Sequence, residues 1–253
     1  MRTVAEPGKQ TDLIGLHVAE LADGEQLDYA SQDETCVVVL TGTVDAAAGG
    51  APLGRAGGRA SVFEGPGHAI YLAPDEPLRL TATGGPAELA IATAPLAGEP
   101  AAQSRVITPA DQRTASPGSG NWARSVRTIL GPEHEAGRLL LGETINPPGN
   151  WSSYPPHKHD THRPPREVQL EEVYLFKVDP PEGFGVQVRY GDGDSWEETS
   201  IIRDGSSAAI RSGYHPVVAA PGYTLYYLWV MAGQGRQMIP FLDPRYAWVQ
   251  QGR

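Results

Sequence analysis

A single cysteine, Cys36, leaves the chain without any possible intramolecular disulfide, and its place in the apolar run CVVVL marks it as a buried structural residue. Nothing therefore demands an oxidising compartment. Positive charge is also scarce: 20 Lys and Arg stand against 30 Asp and Glu, and the basic residues are scattered, as at Arg124, Arg127 and Arg138. A net charge of −10 without a basic patch repels phosphate backbones and anionic lipid, so nucleic acid and membrane surfaces are excluded as expected partners. No apolar stretch approaches the roughly 20 residues that span a bilayer. The opening MRTVAEPGKQ lacks the apolar core of a secretory signal, so a soluble cytoplasmic protein is expected. Amphipathic helical stripes are missing too. Only ADQRTASP and DPRYAWVQQ could each supply a turn, and no segment reads as a DNA-binding helix.

What the chain has in quantity is punctuation. Its 30 glycines and 23 prolines separate short apolar runs such as CVVVLTGTV, LRLTAT, ELAIATA, EEVYLFKV, GFGVQVRY and YTLYYLWVMAG. Each has strand length, and many alternate or are rich in β-branched and aromatic residues, as a half-buried sheet requires. The fold class is all-β. A length of 253 residues allows one large or two medium β-domains. Between Leu96 and Gly120 the sequence is poor in large apolar residues and rich in Ala, Pro, Ser and Gly, which reads as a connection between domains. The halves on either side echo one another. ETCVVVLTGTV from Glu34 parallels EVYLFKV from Glu172, and a lone histidine opens a later run in each, His68 and His215, at spacings of 34 and 43 residues. Only the second half has a histidine cluster before its glutamate, so only that half is expected to be chemically equipped.

That cluster is PPHKHDTHRPPREVQLEEVYLF. In a strand, residues i and i+2 share a face, so His157 and His159 present both imidazoles to one side while Lys158 points away. In EEVYLF, Glu172, Tyr174 and Phe176 share one face and Glu171, Val173 and Leu175 the other. One of the two adjacent glutamates can face the histidines, and alternation alone does not say which. His215 follows the turn signal RSG. On GVQVRY, Gln187 and Arg189 share a face; it either lines the interior or is a solvated face of an edge strand. GDGDSWEE reads as a hairpin turn.

HKH…EE resembles the first motif of the cupin fold, and SGYHPVVAAPGY resembles the second. PPHKHD, LEEVYLF, GFGVQVRYGDG and GYHPVVAAPGYTLYYLWVMAG together resemble the 5-deoxy-glucuronate isomerase family of myo-inositol catabolism, which is related to the 5-keto-4-deoxyuronate isomerases. The resemblance implies a bicupin of two tandem double-stranded β-helix (jelly-roll) barrels. Residues 1–110 would form a cupin-like domain without metal and residues 111–253 a metal-binding cupin domain. It further implies a divalent ion, zinc first with manganese or ferrous iron as alternatives, held by His157, His159, Glu172 and His215. The glutamate that opens the E-V-Y strand is the family's ligand, which favours Glu172 over Glu171.

Two departures bear on that set. Twelve residues separate His159 from Glu172 where cupins usually have three or four, so DTHRPPREVQLE is expected to leave the barrel mouth as a hairpin excursion, with Pro164–Pro165 outside any central strand. The second motif carries Arg211 and Ala219 in place of the usual proline and asparagine. Glu167 and His162 therefore stand as rival ligands. The implied activity is an aldose–ketose isomerisation of 5-deoxy-D-glucuronate to 2-deoxy-5-keto-D-gluconate, with Tyr174, Gln187 and Arg189 as candidate substrate-binding residues. An Fe(II) cupin dioxygenase and a non-catalytic cupin that binds sugar acids are the alternatives. The expected partner is a small sugar acid, and exposed strand edges suggest a homo-oligomer.

Overall fold

Strands occupy the positions that alternation and turn chemistry mark out. The computed structural model describes residues 1–98 and 102–251. Among these the helical elements are four 3₁₀ segments, Pro109–Asp111, Gly120–Trp122, Asp192–Asp194 and Pro244–Gln251. The first and last overlap the two stretches where a turn was expected. No described helix is long and apolar enough to cross a membrane. The chain divides into two compact units, one of Met1–Arg113 with Thr128–Leu141, the other of Thr114–Arg127 with Gly142 onward.

The first unit is organised by the strand Glu34–Ala48, whose run CVVVL is fully buried. Its first part pairs with Ala69–Leu72 and Ala87–Ala94, and its second part with Ala51–Arg59 and Leu78–Ala82. The exchange of partners happens beside Gly42, where the register with Ala51–Arg59 slips. Gly42 has φ +79°, and a Cβ there would lie 2.2 Å from the Pro86 carbonyl oxygen, so only glycine fits the bend. Val37, Val39, Ile70, Leu72, Leu80, Leu89 and Ile91 fill the core between these strands. Burial of each such side chain contributes roughly 1.5–3 kcal/mol.

The connection expected between Leu96 and Gly120 is not free of structure. Residues 99–101 lie outside the described residues, but Arg105–Ile107 forms a strand on the edge of the first unit, with Ala69 opposite Ile107. Three residues were too short to register against their Ala- and Pro-rich surroundings. Their β-branched pair gains from an open sheet edge, where Ile107 is buried.

The second unit centres on Leu170–Asp179. This strand pairs along its whole length with Thr224–Gly233, and on its other side with Ser207–Ile210. They belong to a six-stranded sheet. A four-stranded sheet carries Trp151–Ser152, Val217–Ala219, Gly185–Tyr190 and Glu197–Ile202 in that order. Gly185–Tyr190 and Glu197–Ile202 form the hairpin expected around GDGDSWEE. The HKH segment is held by a short pairing, His157–Lys158 against Phe241–Leu242. The stretch after it turns back on itself through an antiparallel bridge between Arg163 and Glu167, as the two prolines required.

Candidate metal centre

Three of the histidines and one glutamate meet inside the second unit. Glu172 lies at the start of the central strand, 4% exposed, on the face it shares with Tyr174. Its Oε2 lies 3.2 Å from His159 Nε2 and 3.4 Å from His215 Nε2. One potential ligand atom from each of these three residues falls within 4.8 Å of the other two, and among the described residues this is the group of that kind. His157 is outside the tight group, but its ring centre stands 5.0 Å from that of His215 and 6.3 Å from that of His159.

Each imidazole is oriented by the backbone. Nδ1–H of His159 donates to the Leu170 carbonyl at 2.7 Å, that of His215 to the Gly213 carbonyl at 2.9 Å, and that of His157 to the Pro155 carbonyl at 3.4 Å. Those bonds occupy Nδ1 and leave Nε2 as the nitrogen turned inward, with that of His159 and that of His215 both against Glu172 Oε2, which is how a metal-binding histidine is prepared. The Nε2 of His215 is buried and lacks a hydrogen-bond partner. A buried acceptor without a donor is costly, and a cation among these atoms would satisfy it. The residues present thus fit a divalent ion.

Electrostatics point the same way. Burial, then the neighbouring imidazoles, push His157 down to about 3 and His215 well below the ordinary histidine value, so both imidazoles are neutral at neutral pH. Burial also depresses His159, but the hydrogen bond and charge of Glu172 outweigh it and leave its pKa raised. A proton on His159 would compete with an ion for its imidazole nitrogen.

The loops reach this geometry through a second set of buried charges facing away from the histidines. Lys158, 3% exposed, bonds Asp160 at 2.6 Å and Asp192 at 3.1 Å, so it is a paired structural cation. Asp160 also accepts the Gly213 N–H at 2.8 Å, which ties the HKHD loop to the loop that carries His215. Glu167, a rival ligand by sequence, is engaged elsewhere, accepting the N–H groups of Asp160 and Thr161 and pairing with Arg163 at 2.8 Å. His162 is exposed. Glu171 is on the opposite face of its strand and does not line the cavity.

The cluster opens into a cavity of about 280 Å³. Leu170, Trp229, Met231, Met238 and Ile239 give it an apolar side. The polar side brings His157, His159, Glu172, Tyr174, Ser153 and Arg124 together. The Tyr174 hydroxyl is 3.0 Å from Ser153 Oγ, and burial with the nearby Glu172 charge holds its pKa well above the ordinary phenol value. Tyr227 and Ser152 form a second hydroxyl pair beside it.

Gln187 and Arg189 are not on the cavity wall. Their shared face does turn inward, since Gln187 is 1% exposed while Val186 and Val188 are half-buried. Arg189, however, donates to the Ala209 carbonyl at 2.8 Å and pairs with Glu198 at 2.7 Å across its hairpin, which leaves its guanidinium engaged within the sheet. The cation that does line the cavity is Arg124, which in the sequence stands among scattered basic residues with no motif around it.

The model of the KduI/IolB family matches residues 1–249. The 5-deoxy-glucuronate isomerase of Geobacillus kaustophilus (strain HTA426) is 37% identical over 244 residues, covering 96% of this chain and 87% of that protein. The 5-deoxy-glucuronate isomerase of Bacillus subtilis (strain 168) is 35% identical over 240 residues, 93% of this chain and 87% of that protein. Among solved structures, an IolB-like protein from Salmonella typhimurium LT2 superposes with a TM-score of 0.93 at 32% identity, over 98% of this chain and 94% of that one. Oxalate decarboxylase from Lactobacillus farciminis aligns with a TM-score of 0.67 at 10% identity, over 96% and 82%. At that identity the likeness shows the fold alone, and it is the cupin fold expected from the motifs.

Proposed function

Because the chain belongs to the KduI/IolB family, we propose that it is an aldose–ketose isomerase that converts 5-deoxy-D-glucuronate to 2-deoxy-5-keto-D-gluconate. The observation that carries this reading is the buried group of His159, Glu172 and His215, of which His159 and Glu172 line a cavity of sugar size. His157, His159, Glu172 and His215 would hold a divalent ion, with zinc first and manganese or ferrous iron as alternatives. When bound, such an ion would supply Lewis-acid polarisation of the substrate's reacting oxygens.

The isomerisation is redox-neutral within the substrate. Hydrogen leaves the hydroxyl-bearing carbon and arrives at the former aldehyde carbon, while a proton leaves one oxygen and reaches the other. Tyr174 keeps its proton across the working pH range, so its hydroxyl can donate to whichever oxygen gains charge. Ser153 fixes the direction of that hydroxyl. The buried apolar side chains of Leu170, Trp229 and Met231 on the cavity wall keep water from the reacting carbons. In the first unit, Glu34, the counterpart of Glu172 in the sequence parallel, accepts three backbone N–H bonds, which supports a metal site in the second unit alone.

The test is direct. Purified protein incubated with 5-deoxy-D-glucuronate should yield the ketose by NMR, and prior chelation should stop the conversion. Absence of ketose from fully metal-loaded protein would refute the reading.

A further inference from the structure

We propose that Arg124 is the specificity-determining residue of this cavity, a preformed anchor for the carboxylate of a sugar acid. The inference rests on the isomerase reading for the identity of the substrate, but the recognition chemistry stands on Arg124 itself.

Four arginines of the second unit are matched to an acid. Arg127 pairs with Glu143, Arg163 with Glu167, Arg189 with Glu198, and Arg245 with Asp243 and Asp194. Arg124 is different. Among the described residues no carboxylate pairs with it; Nη1 donates to the Trp122 carbonyl at 3.2 Å, and its buried Nε has no partner. The guanidinium lies close enough to His157, Tyr174 and Tyr227 to interact with each electrostatically, which places it over the polar side of the cavity. Burial lowers its pKa, the mark of a cation short of compensation. The one carboxylate on the cavity wall, Glu172, is committed to the histidines. A half-buried guanidinium with free donors, facing a cavity of small-molecule size, matches a ligand that brings its own negative charge.

The loop that carries this side chain is also fixed in advance. The Arg124 N–H donates to the Pro117 carbonyl at 3.2 Å, and Asn150 Nδ2 donates to the carbonyls of Gly120 and Ala123 at 3.2 and 2.7 Å. Gly118 has φ +90°, and a Cβ there would lie 2.1 Å from the Trp122 carbonyl oxygen, so the loop closes only with glycine at that position. A loop pinned at four backbone positions holds the guanidinium at little cost in ordering on binding. A neutral aldose would leave this cation unmatched, which is the physical basis for rejecting it.

The experiment compares Arg124→Gln and Arg124→Lys with the wild type, all metal-loaded. The ligands are 5-deoxy-D-glucuronate, D-glucuronate as a binding probe, and D-glucose as its neutral counterpart. For Arg124→Gln we expect metal content and Tm to hold and KM for the deoxyuronate to rise roughly 30-fold or more, with a smaller change in kcat. In calorimetric titration the preference for glucuronate over glucose should collapse in the same variant. Arg124→Lys keeps the charge and loses the fork, so its preference should be intermediate; it decides the question if the glutamine variant does not fold. A KM and a glucuronate preference within about threefold of wild type in the folded variant would overturn the proposal. The two readings fail separately. A wild type that binds glucuronate through Arg124 but makes no ketose refutes the isomerase, whereas an active wild type indifferent to Arg124→Gln refutes the anchor.

Discussion

Replacing Glu34 with glutamine should destabilise the first unit by about 3 kcal/mol without touching the metal centre. Glu34 is 0% exposed, and its carboxylate takes three backbone N–H groups: Gly137 at 2.6 Å on Oε1, and Arg138 and Leu139 at 2.7 and 2.9 Å on Oε2. These bonds hold residues 137–139 against the start of the long strand. Glutamine can keep its oxygen toward Arg138 and Leu139, but it then turns an amide N–H2 toward the Gly137 N–H. One charge-assisted bond worth about 1.5–3 kcal/mol is lost, a buried donor is left facing a donor, and the two remaining bonds weaken to neutral strength. The smaller desolvation cost of an amide offsets part of this, which leaves about 3 kcal/mol. Calorimetry should show the first unit's transition lowered by roughly 6–12 °C, at 2–4 °C per kcal/mol for a chain of this size. Metal content should be unchanged. A loss below about 1 kcal/mol would mean that the three short contacts contribute little beyond what water offers the same groups in the unfolded chain.

Glu172→Gln should remove most bound metal, measured by elemental analysis, and should drop the His159 pKa below the usual histidine value by NMR titration, because the raising influence is gone and burial remains; Glu167→Gln should keep its metal, since that carboxylate holds the excursion. Added zinc at about 100 times its Kd should stabilise the metal-free protein by about 2.7 kcal/mol. That gain should shrink as pH falls through the raised pKa of His159, because a proton on its imidazole competes with the ion; denaturation midpoints at a series of pH values check this, and a gain independent of pH would contradict it. Without metal, His157 and His215, both lowered, lose stability as pH falls from about 6.5 toward the value of about 3 reached by His157, whereas the raised His159 contributes in the opposite sense, being lost as pH rises through its own pKa. Gly233→Ala should cost about 1–3 kcal/mol in thermal unfolding, since its Cβ would lie 2.0 Å from the Gln169 carbonyl oxygen, where neither side can yield easily.

Local periodicity reaches a long way in this chain, because strand alternation is a property of neighbouring residues. The all-β class, the hairpin around GDGDSWEE, the shared face of Glu172 and Tyr174 and the pairing of His157 with His159 on one side all follow from residues a few positions apart. So does the excursion after HKHD, since two prolines cannot occupy a central strand. Which carboxylate meets the histidines is another matter. Glu167, Glu171 and Glu172 are all buried, and burial does not separate them; the pairing of Leu170–Asp179 with Thr224–Gly233 and the tie from Asp160 to Gly213 decide it for Glu172. Arg189 and Arg124 make the same point from the cationic side. Arg189 has the favourable pattern yet finds Glu198 across its hairpin, while Arg124 has no pattern and is left facing the cavity by a loop pinned through Asn150. Sequence determines which face a side chain takes along its own strand. Tertiary structure alone determines which charges find partners there and which are left for a ligand, because that depends on groups brought together from distant parts of the chain.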